Sequence, residues 1–89
     1  MKIKLELFGA SREFSSKDYL EFNLKEKSSI KDLRQEILIF IDKNFGSNEN
    51  YKILIQSSSF CSEEYSIIAD DYKITKDQKI GIIPPLGGG

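Results

Sequence analysis

The residues best suited to chemistry form the final run of the sequence, which reads Pro84, Pro85, Leu86, Gly87, Gly88 and Gly89. Proline fixes its own φ angle and favours an extended backbone, so Pro84 and Pro85 are expected to direct this segment away from the domain as a stiff spacer. Glycine has no Cβ and gives a peptide its smallest cross-section, which lets it pass through a channel that excludes side chains. The pattern predicts a thin arm that carries the carboxylate of Gly89.

A terminal carboxylate reacts only after activation. Adenylation by ATP converts it to a mixed anhydride, which sulfur or nitrogen nucleophiles attack; a sulfur nucleophile would leave a thiocarboxylate on Gly89. The arm itself needs no catalytic side chain, and the sequence contains no histidine and one cysteine, Cys61. These counts exclude a histidine general base, a Cys-His nucleophile pair and the usual zinc ligand sets. We therefore expect a carrier that is not itself an enzyme, with Cys61 more typical of an inert packed residue than of a sulfur relay.

Length and composition indicate one soluble domain. The 89 residues are 39% hydrophobic and 30% charged, which suits a single domain over residues 1–89, with 84–89 as an extended functional tail. A formal net charge of -1 gives no positive field for nucleic acid. The longest apolar run, at 37–41, is too short to cross a bilayer, and the alternating residues 1–7 do not resemble an export signal. We expect a cytoplasmic protein with no nucleic-acid or membrane partner.

The remaining candidates for metal ligands are two acidic pairs, Glu63-Glu64 and Asp70-Asp71. Neighbouring carboxylates in polar loops are normally solvated. We predict no metal site.

Hydrophobic patterning predicts two strands and a helix in the first half of the chain. Apolar residues alternate with polar ones over 2–8 and again over 19–25, the signature of half-buried strands. Ser29 followed three residues later by Asp32 resembles a capping box and predicts a helix start. An apolar stripe at helical spacing then extends to a predicted end near Asn44, before a C-terminal cap at Gly46. Its members are Ile30, Leu33, Ile37, Ile41 and Phe45.

The second half predicts further strands. Residues 51–56 (Tyr-Lys-Ile-Leu-Ile-Gln) have strand composition and predict a third strand, followed by a turn at 57–59. Phe60 and the segment 65–68 could form a short extra strand. The last strand, 79–83, stops at Pro84 because proline has no amide hydrogen for a ladder. One helix across a mixed sheet is an α+β fold, and with the first and last strands adjacent at its centre it is the ubiquitin-like β-grasp.

These features resemble the small subunit of molybdopterin synthase and, more broadly, the ubiquitin-like sulfur carriers, which include the thiamine-pathway carrier and the ubiquitin-related modifiers. The resemblance spans essentially the whole chain. It rests on the opening strand 3–8 with Ala-Ser-Arg-Glu at 10–13, and on the helix start Ile-Lys-Asp-Leu at 30–33. It rests most specifically on the ending at 82–89: an apolar strand, Pro-Pro, an aliphatic residue, one variable residue and Gly-Gly.

The resemblance implies a pathway and a set of partners. An E1-like adenylating enzyme would use ATP to activate Gly89, a sulfurtransferase would supply sulfur, and a larger molybdopterin synthase subunit would receive the tail. Sulfur would then enter a cyclic pyranopterin to form the dithiolene that holds molybdenum or tungsten. No cofactor is expected on this chain. By matching position, Gly88 and Gly89 would lie in the partner's active site, and the approach channel would hold Pro84, Pro85, Leu86 and Gly87.

Two other functions fit the same sequence. A ubiquitin-like protein modifier would use the same activated terminus to form isopeptide bonds with lysines, and such a protein could also serve as the sulfur carrier for tRNA thiolation or another sulfur-transfer pathway. A β-grasp interaction domain with an incidental tail would lose nothing on removal of the glycines. Sequence alone ranks the molybdopterin-synthase carrier first and the interaction domain last.

Overall fold

The computed structural model describes residues 1–85 and contains, within them, a mixed sheet with two α-helices. In chain order the elements are β1 (Lys2–Leu7), a 3-10 helix (Gly9–Phe14), β2 (Tyr19–Asn23), α1 (Ile30–Phe45), α2 (Glu49–Ser57), β3 (Ser59–Cys61), β4 (Ile67–Ile68) and β5 (Gln78–Ile83). None of the helices in this range is both long enough and apolar enough to span a membrane.

The strand order across the sheet is β2-β1-β5-β3-β4. Strands β1 and β5 lie side by side and run parallel, with Leu5 opposite Ile80, whereas the other three pairings are antiparallel. A parallel pair needs a long crossover, and the chain between β1 and β5 supplies it by carrying β2, both helices and the two short strands. The predicted central pairing is confirmed, and the fold is an α+β, ubiquitin-like β-grasp.

One face of the sheet is covered by α1. Alternation in β1 and β5 sends Ile3, Leu5, Ile80 and Ile82 inward, and all four are fully buried. The α1 stripe meets them with Ile30, Leu33, Ile37 and Ile41, which are equally buried. The predicted stripe is confirmed except at its end, since Phe45 is only partly covered.

The start of α1 is fixed by the capping box that the sequence predicted. The hydroxyl of Ser29 accepts from the backbone N–H of Asp32 at 3.3 Å, and the carboxylate of Asp32 accepts from the N–H of Ser29 at 2.8 Å. Two otherwise unpaired backbone donors are thereby satisfied. At the other end Gly46 adopts a positive φ of 66°, one residue after the helix ends at Phe45.

The predicted third strand at 51–56 is wrong, because this segment forms most of α2. The side chain of Asn48 accepts from the N–H of Tyr51 at 3.1 Å and starts a helix there. Helical spacing buries Ile55 and half-buries Leu54 and Tyr51, while Ile53 stays 58% exposed. Strand geometry would instead have placed Ile53 and Ile55 on the same face, so capping and packing override the strand propensity of this run.

The strand that follows the helices is β3, which begins at Ser59, inside the predicted turn. Phe60 is buried in it, as the sequence allowed. The segment 65–68, which the sequence allows as a short extra strand, contributes only its last two residues, as β4, which pairs with β3 at the edge of the sheet.

Candidate functional site

The segment that the sequence predicts to be functional, 84–89, follows directly after the central strand of the sheet. As predicted, β5 ends at Ile83, directly before Pro84. Pro84 is buried whereas Pro85 is exposed, so the two prolines lie in different surroundings. The predicted site residues Leu86, Gly87, Gly88 and Gly89 lie outside the described residues, and their assignment stays a prediction.

Pro84 packs beside the 3-10 helix, which we call the tail socket (Gly9–Phe14). A Cβ built on Gly9 would lie 3.9 Å from Cδ of Pro84, which is van der Waals distance. Gly9 has a φ of 56°, a left-handed conformation that glycine adopts without the steric cost of a side chain. This turn lets the chain reverse directly after β1 and lie against the end of β5.

The tail socket is held by its own hydrogen bonds and by the core. The hydroxyl of fully buried Ser11 donates to the carbonyl of Phe8 at 2.6 Å, and the backbone N–H of Ser11 donates to the same carbonyl at 3.2 Å. At its other end Phe14 is buried, with its ring centroid 5.1 Å from that of Tyr51 in an edge-on arrangement. Both ends of the short helix are therefore fixed.

On the sheet face opposite α1, Gly81 makes room for two neighbours. A Cβ at this position would lie 2.7 Å from both Cys61 Sγ and Phe8 Cε2, a distance that real Cβ atoms do not tolerate. The ring of Phe8 thus lies over Gly81, next to the thiol of Cys61. Only glycine fits here without displacement of one of these side chains.

An apolar patch surrounds this point, beside the root of the tail. We define it as the outer patch: Phe8, Ile67 and Ile83. Ile67 lies opposite Cys61 in the β3–β4 pair and is 66% exposed, while Phe8 and Ile83 are partly exposed. These three apolar side chains lie on the same face of the sheet, and the exposed Ile67 makes this face a candidate for contact with another protein.

Cys61 is poorly suited to chemistry. Its side chain is buried, and burial is the main reason why the pKa of the thiol is raised, although the N–H of Gly81 donates a hydrogen bond that partly opposes this. A raised pKa reduces the fraction of thiolate, the form that acts as a nucleophile. The inert interpretation of Cys61 agrees with this environment.

Two of the acidic residues considered for metal binding have structural partners. Glu63 accepts from the backbone N–H of Lys79 at 2.9 Å and so continues the β5 ladder beyond the end of β3. Asp70 accepts from Nη2 of Arg34 at 2.6 Å.

Sequence reasoning did not identify Arg34, which connects α1 to the end of α2, to Phe60 in β3 and to Asp70. Its Nη1 donates to the carbonyl oxygens of Ile55 at 2.6 Å and Ser58 at 2.8 Å, at the end of α2. Its guanidinium carbon lies 4.9 Å from the ring centroid of Phe60, and the side chain is only 13% exposed. No sequence signal distinguishes this arginine from a solvated one on α1, since its partners are backbone carbonyls more than twenty residues away.

No family model and no curated sequence matches the chain. Solved structures do match it. A Pyrococcus furiosus protein provisionally designated molybdopterin converting factor subunit 1 has a TM-score of 0.70 and 21% identity, over 96% of this chain and 98% of that one. SAMP1 from Haloferax volcanii has a TM-score of 0.68 and 10% identity over the full length of both chains. A ubiquitin of Caldiarchaeum subterraneum has a TM-score of 0.61 and 15% identity, over 100% of this chain and 98% of that one.

At these identities the similarity establishes the fold. The predicted resemblance is confirmed at that level, since the similar structures include a molybdopterin converting factor subunit and a ubiquitin.

Proposed function

We propose that this protein is a sulfur carrier, the small subunit of a molybdopterin synthase, and that Gly89 carries the sulfur as a thiocarboxylate. The observation that carries the proposal is the way the tail is attached to the domain. The segment 84–89 continues the central strand β5, which is paired on both sides, so the reactive end is attached to the most constrained part of the sheet. Similarity of fold to a molybdopterin converting factor subunit supports the choice of pathway.

The chemistry proceeds at the terminal carboxylate. An oxygen of Gly89 attacks the α-phosphate of ATP on an E1-like enzyme, and pyrophosphate leaves. A sulfurtransferase then delivers sulfur; with hydrosulfide as the simplest donor, sulfur attacks the acyl carbon, AMP leaves and a proton is released. The thiocarboxylate sulfur finally attacks a carbon of a cyclic pyranopterin held by the larger synthase subunit and displaces an oxygen there. Water then hydrolyses the resulting thioester, which leaves the sulfur on the pterin and restores the carboxylate of Gly89. Catalytic groups for each step would belong to the partners.

The outer patch supports a carrier that docks before it reacts. It lies at the same end of the sheet as the root of the tail, so a partner that covers Phe8, Ile67 and Ile83 would be placed to receive residues 86–89 as well. Apolar contact of this kind supplies affinity, while the thin tail supplies the reactive group.

A ubiquitin-like protein modifier is the second candidate, and similarity of fold to an archaeal ubiquitin favours it. The same adenylated Gly89 would then acylate a lysine amine and form an isopeptide bond. A role in tRNA thiolation would use the thiocarboxylate with a different acceptor.

The test is the intact mass of the protein after incubation with ATP, an E1-like activating enzyme and a sulfur donor. The matched control lacks Gly88 and Gly89. We expect a mass increase equal to the replacement of one oxygen by one sulfur, only in the chain with the intact terminus. The starting mass also establishes that Gly89 is the last residue of the purified protein.

Each outcome distinguishes the candidates. No mass shift, with an activating enzyme that works on its own carrier, would contradict the sulfur-carrier proposal. Adducts on lysines that disappear in the truncated control would identify a modifier. A shift followed by sulfur transfer to a pyranopterin in the presence of a larger synthase subunit would establish the pathway.

A further inference from the structure

The two prolines that precede the tail differ in burial, although the sequence gives no reason to separate them. Pro84 is buried beside the tail socket and Pro85 is exposed. A proline fixes its own φ wherever it lies, but only a packed proline also fixes the direction in which the next residue leaves the domain. Pro84 therefore belongs to the folded body, and Pro85 is the first residue outside it.

We propose that Pro84 is a positioning residue and that the tail socket, through Gly9, sets the direction in which the tail leaves the domain. The inference rests on the proposed function, because direction matters only if a partner receives the tail. In this interpretation Pro85 is a spacer that contributes less than Pro84 to binding of the tail by the partner.

The contact that supports this is local and specific. Gly9 takes a φ of 56° where the 3-10 helix begins, and the ring of Pro84 lies on the side of Gly9 from which a Cβ would project. The pyrrolidine Cδ and Cγ atoms are 3.9 and 4.0 Å from the point where that Cβ would stand, so they are the part of Pro84 that faces Gly9. A residue without these ring atoms loses the contact.

The socket is rigid enough to transmit a direction. Ser11 ties its first turn to the carbonyl of Phe8 through two hydrogen bonds, and Phe14 anchors its last turn in the aromatic cluster with Phe45 and Tyr51. On the other side Ile83 pairs with Ser59 in the sheet. Pro84 is thus held between a fixed helix and a fixed strand.

The consequence concerns binding more than the chemical step. A tail that leaves the domain in a set direction loses less conformational entropy when it enters a partner's channel. Loss of the anchor should raise KM for adenylation and leave kcat nearly unchanged, since the bound geometry is imposed by the enzyme once the tail is inserted.

The experiment compares Pro84→Ala with the matched control Pro85→Ala in the full-length protein. Pyrophosphate release by the activating enzyme gives KM and kcat, and 13Cα relaxation gives the order parameter of residue 85. We expect Pro84→Ala to raise KM roughly fivefold, with kcat nearly unchanged, from the freedom that one residue gains. Pro85→Ala should raise KM by less than about twofold.

Two further readouts separate positioning from folding. A third variant, Pro84→Val, keeps apolar bulk beside the tail socket and should have a KM between those of the parent and Pro84→Ala. Thermal unfolding shows that each variant is folded. In the free protein, Pro84→Ala should lower the 13Cα order parameter of Pro85 and leave the core unchanged.

Equal KM values for Pro84→Ala and Pro85→Ala, or an unchanged order parameter at Pro85 in Pro84→Ala, would overturn the inference. If the parent protein is not adenylated at all, the proposed function fails instead. The relaxation measurement still decides whether Pro84 holds the tail.

Discussion

Substitution of Gly81 by alanine gives the sharpest test of how the outer face of the sheet is built. The new Cβ would lie 2.7 Å from Cys61 Sγ and equally close to Phe8 Cε2. Neither atom can stay in place. The ring of Phe8 is partly exposed and can swing outward, but Sγ of Cys61 is one bond from a Cβ that the β3–β5 ladder holds.

The magnitude follows from these contacts. An extra methyl in a packed site costs about 1–3 kcal/mol, and the reduced freedom of alanine in the unfolded chain returns about 0.5–1 kcal/mol. Because the new Cβ meets two atoms at 2.7 Å, the cost should lie in the upper part of its range, about 2–3 kcal/mol, and we expect a net loss of about 1–2.5 kcal/mol. For a domain of this size that corresponds to a fall in Tm of about 5–15 °C.

Urea unfolding of a double-mutant cycle is the assay. Cys61→Ala removes Sγ and leaves a small cavity, which should cost about 1 kcal/mol by itself. Gly81→Ala combined with Cys61→Ala should recover much of the loss, because the alanine methyl enters the space that Sγ leaves. Additive losses in the double variant, or a Gly81→Ala protein as stable as the parent, would refute the steric argument.

Three other predictions concern the rest of the fold. Arg34→Met should lower the free energy of unfolding by about 2–3 kcal/mol, because the carbonyls at the end of α2 lose their donor. Asp70→Asn changes a half-exposed partner of Arg34 and should lower it by less than about 1 kcal/mol. Equal losses for the two variants in urea titrations would contradict this. Hydrogen bonds from the backbone and hydroxyl of Ser29 lower the pKa of Asp32 below 3.8. The stabilisation that the Asp32 carboxylate gives the folded state is therefore present above that pH and lost as pH falls through the folded pKa. Asp32→Asn should therefore make the free energy of unfolding fall less steeply at acid pH, and an unchanged fall would contradict this. Since burial raises the pKa of Cys61, alkylation at mildly alkaline pH should proceed only as fast as the protein opens; rapid labelling of the native protein would show an accessible thiol.

The parts of the fold that sequence predicted are those fixed by local signals or strong periodicity. The Ser29–Asp32 capping box and the α1 stripe combine short-range hydrogen bonding with helical spacing, and both appear in the structure. The stop of β5 at Pro84 follows from the missing amide hydrogen. Central pairing of β1 with β5 was inferred from the order of elements, and the register bears it out.

The parts that sequence did not predict depend on tertiary context. Residues 51–56 have strand composition, but the cap at Asn48 and the burial of Ile55 decide for a helix. Arg34 gives no local sign that it will bind distant carbonyls. The difference between Pro84 and Pro85 also depends on a neighbour, the tail socket, that is about seventy residues away in sequence. The chemical assignment of residues 86–89 rests on the sequence pattern and stays a prediction.

The parallel pairing of β1 and β5 has a mechanical consequence. Their five register pairs run side by side from Ile3 with Gln78 to Leu7 with Ile82, with both strands pointing the same way. A force applied between the N-terminus and the tail pulls these strands along their length in opposite directions, so it loads the whole ladder in shear. The bonds must then break together and cannot be peeled one at a time. A pull on residue 85 that is resisted at the N-terminal end of β1 is therefore shared by all five register pairs, and the central pair of strands is the part of the domain best placed to withstand it.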